Sequence, residues 1–153
     1  MIDSVDAATR SRIMSAVPQK DTKPEILVRQ LLHRAGLRFS LHRRDLLGRP
    51  DIVLPRHHAV VFVHGCFWHR HPGCRKASMP RTRTDYWQAK FERNIARDRR
   101  AVDALRADGW RVFTVWECGL AVDAVGLVRG LAEAIVAPRS RRRVFPRRPP
   151  YPG

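Results

Sequence analysis

Apolar positions along the chain change period several times, and each change marks an element. Asp6–Val17 carries Ile13, Met14 and Val17 on one side, which predicts a short N-terminal helix. Ile26, Leu27, Leu31 and Leu32 then recur at helical spacing behind Thr22-Lys-Pro-Glu25. Thr22 can cap that helix, Glu25 can complete a capping box, and Gly36 is a natural stop. Leu37, Phe39 and Leu41 alternate, so Leu37–His42 reads as a strand. The loop Arg43–Pro50 leads to a short strand, Asp51–Leu54, and Pro55–His58 turn the chain. Ala59–Val63 is the longest apolar run, five residues that suit a central strand.

An irregular stretch, His64–Arg83, follows. Thr84 is placed to cap a long helix reaching Ala107, with Trp87, Phe91, Ile95, Val102 and Leu105 on its buried stripe and Gly109 beyond its end. Trp110–Trp116 reads as a strand and Leu120–Val136 as a last amphipathic helix. The order is α-β-β-β-α-β-α, a mixed α/β sheet domain covered by helices. It divides the chain into an arm (1–20), a domain (21–137) and a Pro- and Arg-rich tail (138–153) with the composition of a disordered segment.

Composition narrows the function. No apolar run approaches a membrane span, and Asp3, Asp6, Arg10 and Arg12 interrupt any apolar leader. The chain is therefore expected in the cytoplasm. Three cysteines are too few, and an odd count, for a secreted disulfide scaffold. The net charge is +16, and 26 of the 30 basic side chains are Arg, which favours bidentate phosphate contacts. Six of those arginines lie in the tail, and removing them leaves +10, so the folded part is itself basic. A nucleic-acid partner is expected.

The chemistry concentrates in two segments. In Gly48-Arg-Pro-Asp51, Pro50 cannot donate to a sheet ladder, so Asp51 falls at a strand start and sheet end. A carboxylate there is either turn chemistry or a ligand for a divalent cation at a phosphodiester. The segment His64-Gly-Cys-Phe-Trp-His-Arg-His-Pro-Gly-Cys74 holds three of seven histidines and two of three cysteines. With Cys118 just past a strand, Cys66, His71 and Cys74 form a candidate closed Cys₃His zinc site, structural rather than catalytic. Free thiols and a surface histidine are the alternative. His64 and His69 remain for proton transfer near neutral pH. Phe67 and Trp68 suit either the core or insertion between DNA bases.

Taken together, Ala8-Thr-Arg-Ser-Arg-Ile-Met14, Gly48-Arg-Pro-Asp51, His64-Gly-Cys-Phe-Trp-His69, Arg83-Thr-Asp-Tyr-Trp87, Asn94-Ile-Ala-Arg-Asp-Arg-Arg100 and Gly109-Trp-Arg-Val-Phe-Thr-Val-Trp-Glu-Cys118 resemble the very-short-patch (Vsr) mismatch repair endonucleases. The likeness spans roughly residues 5–120 in order. It implies a restriction-endonuclease-like core, α-β-β-β-α-β, with a structural zinc site. The implied activity is Mg²⁺-dependent nicking of double-stranded DNA beside the thymine of a T·G mismatch left by 5-methylcytosine deamination. The resemblance makes Asp51 the Mg²⁺ ligand together with the Val63 carbonyl, His69 the general base and His64 a histidine near the scissile phosphate. Glu25 orients a water on the metal, which competes with its capping role. Zn²⁺ falls to Cys66, His71, Cys74 and Cys118. Met14, Phe67 and Trp68 match intercalating residues, and Lys90 and Asn94, four apart on one helix face, match contacts to the mismatched pair. The wider nuclease superfamily carries an acid and a lysine where this chain has Phe62 and His64, a replacement the Vsr enzymes share.

The resemblance further implies a bacterial, nucleoid-associated monomer, with other mismatch-repair proteins as candidate partners. Two other readings stay open. One is a zinc-stabilised mismatch- or sequence-specific DNA-binding protein that does not cut. The other is a restriction-type endonuclease acting on undamaged DNA.

Overall fold

Among the described residues four strands and three α-helices follow in the order α1 (Lys23–Arg34), β1 (Ser40–Leu41), β2 (Ile52–Leu54), β3 (Ala59–His64), α2 (Thr84–Ala107), β4 (Arg111–Trp116) and α3 (Glu117–Val136). The computed structural model describes residues 20–138. The expected helix Asp6–Val17, with Met14, and the tail from residue 139 lie outside the described residues. The sheet order is β1-β2-β3-β4, antiparallel across the first two pairs and parallel between β3 and β4. The parallel pair requires a crossover, and α2 supplies it. Among the described residues no helix is long and apolar enough to cross a membrane.

Both faces of the sheet are covered, which explains the unbroken apolar run of β3. Ile52, Leu54, Ala59, Val61 and Val115 pack against Val28 and Leu32 of α1 and Val128 and Ile135 of α3. The alternate residues Val53, Val60 and Phe62 meet Val102 and Leu105 of α2, with Trp110 and Leu46. Each fully buried Val, Leu or Ile contributes ~1.5–3 kcal/mol, so this sandwich is the main source of stability. Arg111 fastens the far end. Its guanidinium donates to the Ile135, Ala134 and Ala137 carbonyls at the C-terminus of α3 and to the His57 carbonyl. A cation there complements the unpaired carbonyls of the last turn.

Three local expectations are corrected. The strand read over Leu37–His42 narrows to Ser40–Leu41, because Leu37 and Phe39 turn their side chains into the α1/α3 core instead of pairing. Thr84 is the first helical residue rather than the cap. Arg83 holds the cap position in a left-handed conformation (φ +51°) with no side-chain capping bond. The last helix starts at Glu117, three residues early, and breaks at Asp123 (φ −157°). Asp123 then accepts the Gly126 N–H at 2.9 Å and so caps the continuation.

Gly48 joins the loop before β2 to α2. Its φ is +78°, and a Cβ at this position would lie 2.5 Å from the Ala101 Cβ. A left-handed backbone and a close approach both require glycine there. Gly48→Ala is expected to destabilise the protein by about 2–4 kcal/mol through strain and overpacking. Denaturant unfolding checks this, and a loss below about 0.5 kcal/mol would show that the loop relaxes freely.

Candidate active site

The candidate groups Asp51, His64 and Cys118 emerge at one end of the sheet, where β2 begins and β3 and β4 finish. The β2–β3 register, extended one step, sets Asp51 opposite Phe62, and its Oδ2 accepts the Val63 N–H at 2.7 Å. Gly48 and Arg49 are both left-handed and Pro50 is buried, which delivers Asp51 to that position. Burial pushes the Asp51 carboxyl up from 3.8 to about 6. The Val63 N–H opposes that shift and the Glu25 charge adds to it. A carboxylate withdrawn from water, with no ion pair among the described residues, is suited to a divalent ion that keeps several waters.

Glu25 is 2% exposed on α1. Thr22 Oγ1 accepts its N–H at 3.4 Å, so the expected cap is present. The Glu25 carboxylate does not return to the cap. Its Oε1 accepts hydrogen bonds from Arg29 and from His42 Nε2. The Arg29 guanidinium also pairs with Asp21 at 2.6 Å, and the His42 N–H donates to the Asp51 carbonyl at 3.4 Å. The capping role and a role beside Asp51 are thus divided between the backbone and the side chain of one residue.

His64 ends β3 on the α2 face, and the His69 ring stacks on it, centroids 3.7 Å apart and 4° from parallel. Burial, with His69 adding, pushes His64 down to about 3, so it is neutral at physiological pH. Its Nδ1 is buried without a hydrogen-bond partner among the described residues. His69 Nδ1 lies 2.7 Å from Asp98 Oδ2 on α2. A carboxylate can only accept, so this contact puts the proton on Nδ1 and leaves Nε2 with a lone pair. The pair has the geometry of a base with its orienting acid.

Cys66, His71, Cys74 and Cys118 bring one ligand atom each within 4.8 Å of one another. His71 Nδ1 is 3.3 Å from Cys118 Sγ and 3.7 Å from Cys66 Sγ. Tetrahedral Zn²⁺ sets such N···S edges at about 3.5 Å, so the four groups fit that ion. Parallel pairing explains the convergence. His64 is level with Trp116, and Cys66 and Cys118 each lie two residues further on. Without metal, burial pushes the Cys66 thiol up to about 12, whereas the Lys76 N–H draws Cys74 down. Trp116 joins the two clusters, edge-on to His64 and stacked 4.2 Å from His71. Glu117 Oε1 accepts the Cys66 N–H at 3.2 Å.

Phe67 and Trp68 are half-buried and packed on α2. Phe67 meets Phe91 edge-on at 5.2 Å, and Trp68 lies 6.2 Å from the buried Trp87. Lys90 Nζ stands 4.9 Å above the Trp68 ring, and Asn94 Nδ2 donates to the Trp68 carbonyl at 3.3 Å. Lys90 and Asn94 therefore meet the aromatic loop directly rather than forming a purely solvated face. Asp98, Trp116, Arg29 and His42 were missed from the sequence. Asp98 was within reach, since Lys90, Asn94 and Asp98 recur every fourth residue on one helix face.

The family model for the DNA mismatch endonuclease Vsr matches residues 2–76. The chain is 53% identical over 120 residues to the type II nicking enzyme V.XorIIP of Xanthomonas oryzae pv. oryzae, covering 78% of this chain and 88% of that protein. It is 45% identical over 120 residues to the DNA mismatch endonuclease Vsr of Escherichia coli, with 78% and 76% covered. It is 38% identical over 141 residues to the type II nicking enzyme V.NmeAIP of Neisseria meningitidis, with 88% and 100% covered.

The raised Asp51 pKa has a consequence for metal-free protein. The folded value, about 6, exceeds the ordinary 3.8, so Asp51 ionisation disfavours folding as pH rises between them. Asp51→Asn keeps an acceptor for the Val63 N–H and removes the charge. Its advantage over wild type should be absent near pH 4, grow through pH 6 and level off at about 1–3 kcal/mol. Chemical unfolding in chelator across that range is the measurement, and a pH-independent difference would contradict it.

Proposed function

The chain belongs to the Vsr family of DNA mismatch endonucleases, and on that premise we propose that it nicks double-stranded DNA beside the thymine of a T·G mismatch. Such mismatches arise when 5-methylcytosine deaminates, and the nick opens a short patch to excision and resynthesis. The observation that carries this reading is the His69–Asp98 pair stacked on neutral His64 at the sheet end where Asp51 is tied to Val63. Binding alone needs none of these four side chains in that arrangement.

Asp51, with the Val63 carbonyl, would hold Mg²⁺. When bound there, the ion would supply positive charge against the scissile phosphodiester and favour deprotonation of the attacking water. His69 accepts the water proton at Nε2, while Asp98 fixes the tautomer and stabilises the imidazolium. His64 stays neutral and presents a dry, uncharged wall to the phosphate. Glu25, held by Arg29 and His42, would orient the water beside Asp51. Cys66, His71, Cys74 and Cys118 would hold structural Zn²⁺ and brace the loop that carries His69.

Recognition follows from the weak stacking of a T·G wobble. Opening that step costs less than opening a matched one, so an aromatic wedge discriminates by deformation energy. Phe67 and Trp68 would enter the stack, and base–aromatic stacking returns ~1–3 kcal/mol per base. Lys90 and Asn94, beside them, would contact the mismatched pair. Met14 would insert from the N-terminal arm. The arginine-rich surface supplies the sequence-independent affinity.

A nicking assay on matched, T·G and A·C duplexes, with and without Mg²⁺, tests the reading. Only the T·G duplex with Mg²⁺ should be cut efficiently. Asp51→Ala should abolish nicking and leave T·G affinity intact, and a residual rate of about a tenth would remove Asp51 as the main ligand. Equal cutting of the matched duplex would favour a restriction-type enzyme, and binding without cutting a mismatch-binding protein.

His69→Ala should lower the single-turnover rate by ~10²–10⁴, the range for a general base. Asp98→Asn should cost less, about 10–10³, because it disturbs the tautomer while leaving the imidazole in place. A His69→Ala rate within about threefold of wild type would transfer the proton-accepting role to His64.

A further inference from the structure

Arg70 stands between His69 and His71 in a left-handed conformation, φ +53°. Its guanidinium donates to the Ala77 carbonyl at 2.5 Å, the Phe67 carbonyl at 3.2 Å and the Ser78 carbonyl at 3.3 Å. The same group lies 4.0 Å from the Phe91 ring centroid and 5.6 Å from that of Phe67. Its partners come from the aromatic loop, from the end of the short helical turn Arg75–Ala77 and the residue after it, and from α2. A planar fork that stacks on one ring while bonding three carbonyls joins all three. Lysine has neither the plane nor the number of fixed donors.

This use of arginine is unlike that expected from the composition. In a chain of net charge +16 with 26 arginines, an arginine beside the site would by default meet phosphate. Arg70 instead spends its donors on backbone carbonyls of its own protein, and its face on aromatic rings. Trp68 is held from the other side by Asn94 and Lys90. Phe67 is therefore braced by Arg70 and Trp68 by α2, so the two rings are fixed as a unit.

We infer that Arg70 is a positioning residue for mismatch discrimination. It holds Phe67 and Trp68 rigid enough to be driven into a weakly stacked step, and it makes no phosphate contact. The inference rests on the reading of those two rings as a wedge. A loose wedge would lose part of its stacking gain to ordering on every encounter, so selectivity would fall while electrostatic affinity stayed.

The test compares full-length wild type, Arg70→Lys, Arg70→Met, Trp68→Ala and the Trp68→Ala/Arg70→Lys double variant. Binding to T·G and matched duplexes is measured over a salt series, below the unfolding temperature of each protein. Arg70→Lys and Arg70→Met should lower the T·G-to-matched affinity ratio about tenfold, with matched binding and its salt slope unchanged. The Lys variant should add little in the Trp68→Ala background, since the two rings enter the stack as one unit and loss of either ends the insertion that Arg70 supports. An unchanged ratio, or losses that add in full, would overturn the inference. Equal weakening on both duplexes, with a salt slope shallower by about 1 in Arg70→Met, would make Arg70 a phosphate contact instead. If both single variants unfold before the assay temperature, Arg70 is a general fold brace and the inference falls. Trp68→Ala that keeps full selectivity sinks the wedge reading itself. Trp68→Ala that loses selectivity while the Arg70 variants keep it sinks only the inference.

Discussion

The hydrogen bond from the Val63 N–H to the Asp51 carboxylate joins two strands at the point where the site begins. Val63 lies next to the end of β3, the strand paired on both sides and covered on both faces. Shifting β3 by one residue would exchange its two faces, taking His64 from the α2 side and putting Phe62 into the wrong core. That cost locks the register. The locked register sets where Asp51, His64 and the first residues of the cysteine loop emerge. The rest of the site inherits its placement from this one strand.

Burial then gives chemically similar groups different states. His64 and His69 are stacked rings of the same kind, yet His64 is withdrawn from water and neutral while His69 is bonded to a carboxylate. Asp51 and Glu25 differ in the same way. Glu25 is deeply buried and paired with Arg29 and His42, whereas the Asp51 carboxylate accepts from the Val63 N–H and its burial raises its pKa. Partner geometry, more than residue type, separates the groups proposed as base, neutral wall and metal ligand.

The stretch from Gly65 to Arg83 has almost no regular hydrogen-bonded structure, so side chains must give it shape. The Cys₃His group ties it to the end of β4, Trp116 packs between that group and His64, and Arg70 and Asn94 draw the aromatic segment onto α2. A loop held this way can be rigid without being a helix or strand. That rigidity is what the proposed delivery of both a base and a wedge to one duplex would require.

The element order and the two chemical segments were legible in the chain because they rest on local signals. Hydrophobic period separates β3 from α2, turn residues such as Gly36 and Gly109 punctuate them, and histidine and cysteine are rare enough to stand out when clustered. Asp51, His64, His69 and the four sulfur and imidazole groups could be named on that basis. Other features depend on contacts between residues far apart in sequence. Asp98 meets His69 across 29 positions, His42 meets Glu25 across 17, and Glu117 meets Cys66 across 51. The periodicity that puts Asp98 on one helix face with Lys90 and Asn94 does not name His69 as its partner, and the other two pairs have no periodic signature at all. Leu37–His42 shows the same limit from the other side. Its alternation is that of a strand, but burial of Leu37 and Phe39 against helices satisfied the apolar residues with only two paired positions. Local chemistry determined which residues could act, and the packing of β3 between two helical layers decided which of them meet.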